Sequence, residues 1–186
     1  MIKQDKTFND NIKKRMKKMI GCELNKILHD EFTFTNSVYG KITLFIGNKI
    51  FNITNQTEVV EFYGAKEDIA LLGFKEVDKS DIGSLLKNKK QVYTPINKII
   101  TGIDIVNYHI YVDIDKMEYD NRWTEGIILN FNDSQLAFER SDSFTEIIGI
   151  YKGYDLISKF TDVTYFGKEF TNPTSVKTDK EIIEIK

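Results

Sequence analysis

The chain offers few side chains for nucleophilic chemistry. It contains two histidines, His29 and His109, and one cysteine, Cys22. On a helix Cys22 and His29 would sit two turns apart, about 10 Å by helical rise, too far for the proton transfer that generates a thiolate nucleophile. Cys22 therefore reads as a small packed residue. His109 and Asp113 share one face of an alternating stretch, but two pleats separate them by about 13 Å, and no serine lies between them on that face. His109, Tyr111 and Asp113 read first as ordinary residues of a polar strand face. A catalytic use of that face is the second reading.

Carboxylates are more plentiful. Asp113, Asp115, Glu118 and Asp120 form a D-x-D-x-x-E-x-D cluster. Hard cations want several oxygen ligands, yet the spacing lacks the glycine and terminal glutamate of an EF-hand loop. The cluster reads as solvated acidity, and no metal is assigned to it. Tyr119, Arg122 and Trp123 adjoin it, and these residue types anchor interfaces. A tryptophan buried at a sheet edge is an equal reading of Trp123. Together the cluster and its three neighbours are the candidate binding residues, and no residue is nominated as catalytic. Neither a G-x-G-x-x-G nor a G-x-x-x-x-G-K-[ST] motif occurs, so no nucleotide cofactor is expected.

Charge narrows the partners. The formal net charge is −2 and the pI about 5.8. Residues 1–20 hold seven Lys or Arg against two Asp, so a basic segment leads into an acidic body. A pI this low argues against a dedicated nucleic-acid binder. The run Lys13-Lys14-Arg15-Lys17-Lys18 reads as a solvated helix face rather than a phosphate-binding or membrane-lying one. With only three arginines in the chain, the preferred phosphate-reading residue is scarce. No signal peptide or apolar run of membrane length is visible, and the reading is a cytoplasmic protein.

The elements that would position these residues follow from periodicity. Phe8 to Glu31 carries apolar residues at Phe8, Ile12, Met16, Met19, Ile20, Leu24, Ile27 and Leu28, the spacing of one helical face. Thr7 would cap this helix with Asp10 in a loose capping box, and Gly21 would bend it. From Phe32 the period becomes two. Ile42–Ile46 and Ile50–Ile53 flank Gly47-Asn48, a hairpin signal. A third strand is expected over 58–63, a helical turn over 65–72, and a short helix or loop over 78–90. Val106–Ile114 alternates as a half-buried antiparallel strand, with an acidic loop over 116–125. A second hairpin spans Ile127–Phe138, followed by strands near 146–151 and 161–166 with a short helix between them. The tail 168–186 reads as flexible, unless Ile182, Ile183 and Ile185 add an edge strand. An offset of 85 residues superposes the two hairpins, which suggests an internal duplication with halves near 40–78 and 126–166.

These readings predict an α+β protein folded as a single domain over 1–186, an N-terminal amphipathic helix packed on a mostly antiparallel, hairpin-built sheet. The expected function is non-catalytic binding of a protein partner, not of nucleic acid or membrane. In size and acidity the chain is similar to the small immunity proteins of bacterial toxin systems, a likeness that no motif carries. Such an inhibitor would cover a basic toxin with the acidic face around 113–125. The alternative is a small-molecule or metal-dependent enzyme with its site on the polar face of the 106–114 strand.

Overall fold

A computed structural model describes residues 1–114, 116–168, 170 and 173–186. In chain order the elements are β1 (Ile2–Lys6), α1 (Asp10–Lys17), β2 (Glu23–Asp30), β3 (Ser37–Tyr39), β4 (Lys41–Ile46), β5 (Lys49–Phe62), β6 (Ala65–Val77), β7 (Gln91–Ile99), β8 (Gly102–Ile114), β9 (Met117–Asn130), β10 (Gln135–Arg140), β11 (Ile147–Gly153), α2 (Val163–Gly167) and β12 (Ser175–Ile185). Short 3-10 turns lie at Lys79–Asp81 and Leu156–Lys159. One sheet runs β12-β8-β9-β10-β11-β3, with β1 added parallel to β9. The other runs β6-β5-β4-β2-β7.

The protein is predominantly β, which overturns the α+β expectation of a long N-terminal helix packed on a sheet. Helix α1 covers only eight residues, and Asn9, not Thr7, caps it by accepting from the Ile12 N–H at 3.1 Å. Gly21 ends this region with φ +81°, a conformation that glycine adopts without penalty. Beyond it, Glu23–Asp30 is a strand hydrogen-bonded between β4 and β7. Leu24 and Ile27 imitate a helical spacing because the register shifts between Leu24 and Lys26. A bulge inserts one residue, so residues three apart fall on the same side of a strand.

Other expectations shift for related reasons. Residues 65–72, read as a helical turn, belong to β6, which pairs with β5 continuously from Phe62–Ala65 to Ile50–Val77. The acidic loop expected over 116–125 is the first half of β9. The strand expected near 161–166 is the short helix α2, started by Asp162 accepting from the Thr164 N–H at 2.9 Å. Strands β1 and β7 come from segments without a recognised pattern; β7 tolerates Pro95 because it is an edge strand. Both hairpins form as expected, β4–β5 through Gly47 at φ +55° and β9–β10 through residues 131–134. The tail forms β12, an edge strand paired with β8 from Ser175–Asp113 to Ile185–Ile103.

Two apolar clusters hold the molecule. The larger draws Ile27, Ile42, Leu44 and Ile53 from one sheet and Ile103, Ile105, Ile127 and Phe138 from the other. The second lies on the far face of the β8–β9 sheet, where Tyr108, Ile110, Val112 and Trp123 meet Leu156, Phe160, Val163 and Phe166. That sheet is therefore covered on both faces over part of its length, and what remains uncovered positions the candidate site.

Candidate functional site

The odd-numbered residues of β8 start in the inter-sheet core and end at the surface. Ile103 and Ile105 are buried, Asn107 is buried beside Thr124 and Glu181, and His109, Tyr111 and Asp113 are only partly covered. Antiparallel pairing sets His109 opposite Arg122, Tyr111 opposite Asp120 and Asp113 opposite Glu118. Strand β12 adds Lys177 opposite Tyr111 and Asp179 opposite His109. Strand β1 adds Lys3 beside Asp120 and Asp5 beside Arg122. Four strands thus build one polar, mixed-charge face with a shallow depression of about 340 Å3 at His109, Tyr111, Asp120 and Lys177.

Asp120 is the hub of this face. Its side chain is 14% exposed and its Oδ1 lies 2.5 Å from His109 Nε2 and 3.6 Å from Arg122 Nε, with Lys3 Nζ 3.8 Å from Oδ2. The Tyr111 hydroxyl is held above the ordinary phenol range by partial desolvation and by Glu118, which accepts its hydrogen bond. Asp5 is pulled below the usual carboxylate range, first by the Thr7 hydroxyl at 2.6 Å and then by the Thr7 N–H and the Arg122 charge.

The structure brings together Asp113, Glu118, Asp120 and Arg122 of the sequence-nominated residues. It turns Tyr119 and Trp123 the other way. Both are about 5% exposed; Tyr119 packs against Tyr63, and Trp123 packs against Phe166 and donates to Glu125 Oε2 at 2.8 Å. Of the two readings of Trp123, burial is the one that holds. Asp115 lies outside the described residues. His109 pairs with Asp120 on the neighbouring strand rather than with Asp113 on its own. The missed signal was the period of two in 117–124: Glu118, Asp120, Arg122 and Thr124 alternate with Tyr119, Asn121 and Trp123, a strand pattern masked by its charge.

A second polar constellation is enclosed. Val106 pairs with Gly126 and Asn107 with Thr124, so Glu125 is an extra residue in β9. Its carboxylate takes hydrogen bonds from Trp123 and from Arg140 Nε and Nη2, while Arg140 Nη1 donates to the Ala70 carbonyl of the other sheet at 2.8 Å. Glu139, buried nearby, is raised above the ordinary carboxyl range by desolvation and by the Glu125 charge, against the lowering pull of bonds from Thr161 and Tyr151. Burial and Glu139 push the Tyr151 hydroxyl up to about 12. Glu125, Glu139 and Arg140 are buried, and the Arg140 bond to Ala70 ties one sheet to the other.

Among the described residues, no group of three or more His, Cys, Asp or Glu side chains is placed to hold a metal ion, and no helix is long and apolar enough to cross a membrane. The architecture defines the class: a two-sheet, mostly antiparallel β protein with a mixed-charge open face. Compared with known proteins, the chain matches no family model, no curated sequence and no solved structure.

Proposed function

We propose that this chain is a non-catalytic binding protein of the cytoplasm that engages a basic protein partner through the open face of β12, β8, β9 and β1. The observation that carries the reading is the direct opposition of Asp113 and Glu118 beside the turn that joins β8 to β9. Like charges directly opposite in an antiparallel pair destabilise it. Neither carboxylate joins an ion pair among the described residues. A lysine or arginine from a partner placed between them would relieve the repulsion and gain two charge-assisted contacts. An inhibitor of a basic toxin is the specific form of this function, since charge complementarity would speed its encounter with the target.

The test is capture from native lysate with the wild-type chain and with the double reversal Asp113→Lys/Glu118→Lys as baits. A basic protein retained by the wild type, released by salt and lost from the reversed chain is the expected result. Equal retention by both baits refutes the reading.

The contact between His109 and Asp120 supports a second reading. A carboxylate that orients an imidazole is the arrangement a general base requires, and both side chains line the depression. A small-molecule enzyme would use His109 as the base and Asp120 to orient it. Metabolite screening by thermal shift on wild-type and His109→Gln chains separates this reading from the first. A ligand that stabilises only the wild type favours the enzyme.

A further inference from the structure

A different part of the molecule holds a cavity with its own chemistry. Where α1 ends, the turn between β4 and β5 and the end of β6 enclose about 230 Å3, lined by Arg15, Lys18, Met19, Cys22, Ile46 and Phe51 together with Gly47, Asn48, Lys49 and Glu76. Met19, Ile46 and Phe51 belong to the inter-sheet core, so the floor is apolar. The mouth is cationic. Lys49 is matched by Glu76 at 2.8 Å. The exposed side chains of Arg15 and Lys18 meet no carboxylate among the described residues. Arg15 lies in the last turn of α1 and Lys18 caps it, where the helix dipole favours positive charge. Both cations line the mouth with no carboxylate among the described residues to neutralise them.

From this juxtaposition we infer that the cavity binds a compact apolar monocarboxylate, its hydrocarbon part against Met19, Ile46 and Phe51 and its carboxylate between Arg15 and Lys18. The volume sets the size: a cavity of about 150 Å3 lined by apolar side chains accommodates benzene, and larger ligands need pockets of about 300 Å3 or more. A single aromatic ring or a short branched chain fits. Arginine is suited to the head group because its planar fork meets both carboxylate oxygens. An inorganic anion would satisfy the mouth but leave the apolar floor empty; a neutral apolar molecule would do the reverse.

Cys22, the sole cysteine, lines this cavity and is partly exposed, so it reports on occupancy. The experiment measures the rate at which neutral N-ethylmaleimide alkylates Cys22 in the intact chain, together with the backbone amide shifts of Gly47 and Asn48. Millimolar benzoate should slow alkylation several-fold in a saturable way and shift both amides, while benzyl alcohol and inorganic phosphate do neither to the same extent. Arg15→Gln and Lys18→Gln, both on exposed side chains, should each weaken the benzoate effect several-fold. Benzoate that neither protects Cys22 nor moves the amides overturns the inference. Protection by phosphate equal to that by benzoate, or protection unchanged in Arg15→Gln, overturns it as well.

Discussion

Glu125 Oε2 lies 2.9 Å from Arg140 Nη2 with both side chains wholly excluded from solvent. The pair exists because a bulge in β9 turns an extra residue toward the interior, a usual consequence of bulges. Arg140 then stacks over Trp123, 5.0 Å from its ring, and reaches the Ala70 carbonyl in the opposite sheet. The ion pair thus joins two strands of the sheet that carries the open polar face, and the Arg140 bond to Ala70 ties that sheet to the other.

Removing either member leaves the other charged and buried, a change that costs about 3–5 kcal/mol. Glu125→Leu and Arg140→Met should each lower stability by that amount in urea unfolding. The double substitution should cost markedly less than the sum, because no charge is stranded. Additive losses would show that the two groups do not depend on one another.

Glu139 supplies a pH signature. Its carboxyl is raised above the ordinary carboxyl range because burial disfavours the anion. The folded chain therefore holds this proton more tightly than the unfolded chain does. The resulting stabilisation is fully present below the unfolded value and is lost as pH rises through the folded value. Glu139→Gln, which keeps an acceptor for the Thr161 N–H, should remove this loss. The variant should gain on the wild type as pH climbs from about 4 to neutrality, as measured by midpoints of chemical denaturation. A constant difference across that range would contradict the assignment.

Gly126 is required for a packing reason. A Cβ there would lie 2.3 Å from Phe160 and 2.5 Å from the Phe138 carbonyl. The carbonyl belongs to a paired strand and has little freedom to retreat. Gly126→Ala should cost about 1–3 kcal/mol, the range for overpacking. Gly47→Ala makes a useful comparison, because nothing lies within 4 Å of the Cβ it would add and its cost comes from φ +55° alone. Calorimetry of both variants separates crowding from backbone strain.

The opposed carboxylates make stability and binding move in opposite directions. Asp113→Lys replaces a repulsive cross-strand pair with an attractive one, worth about 0.2–1 kcal/mol. The variant should be slightly more stable at low salt, with a gain that fades as salt rises. The same change should weaken capture of a basic partner. A variant that is less stable at low salt would show that the two side chains do not oppose one another.

Much of the topology was legible in local pattern. The alternation in Val106–Ile114 and the turns of both hairpins needed only neighbouring residues, because strand pleat and turn geometry are local properties. The burial of Val106, Tyr108, Ile110 and Val112 against the openness of His109, Tyr111 and Asp113 also follows that pattern. The long helix was misread because Leu24, Ile27 and Leu28 carry a helical period, and only pairing with β4 and β7 shows that a bulge produced it. Residues 65–72 have the composition of a helix, but unbroken cross-strand pairing with β5 outweighs intrinsic preference.

The sequence by itself determined which residues could meet on the open face, since alternation assigns each side chain of a strand to one side. Only the tertiary structure decided which of them do meet. Register placed Asp120 beside His109 and set Asp113 against Glu118; β1 and β12, more than fifty residues away from β8 and β9 in chain order in each case but one, brought Lys3 and Lys177 to the same surface. Likewise Glu125 reads as part of an acidic loop until the bulge turns it inward against Arg140, where both side chains are buried. Strand register and sheet packing depend on contacts between distant segments, and a local pattern of side chains carries no record of which segment lies opposite.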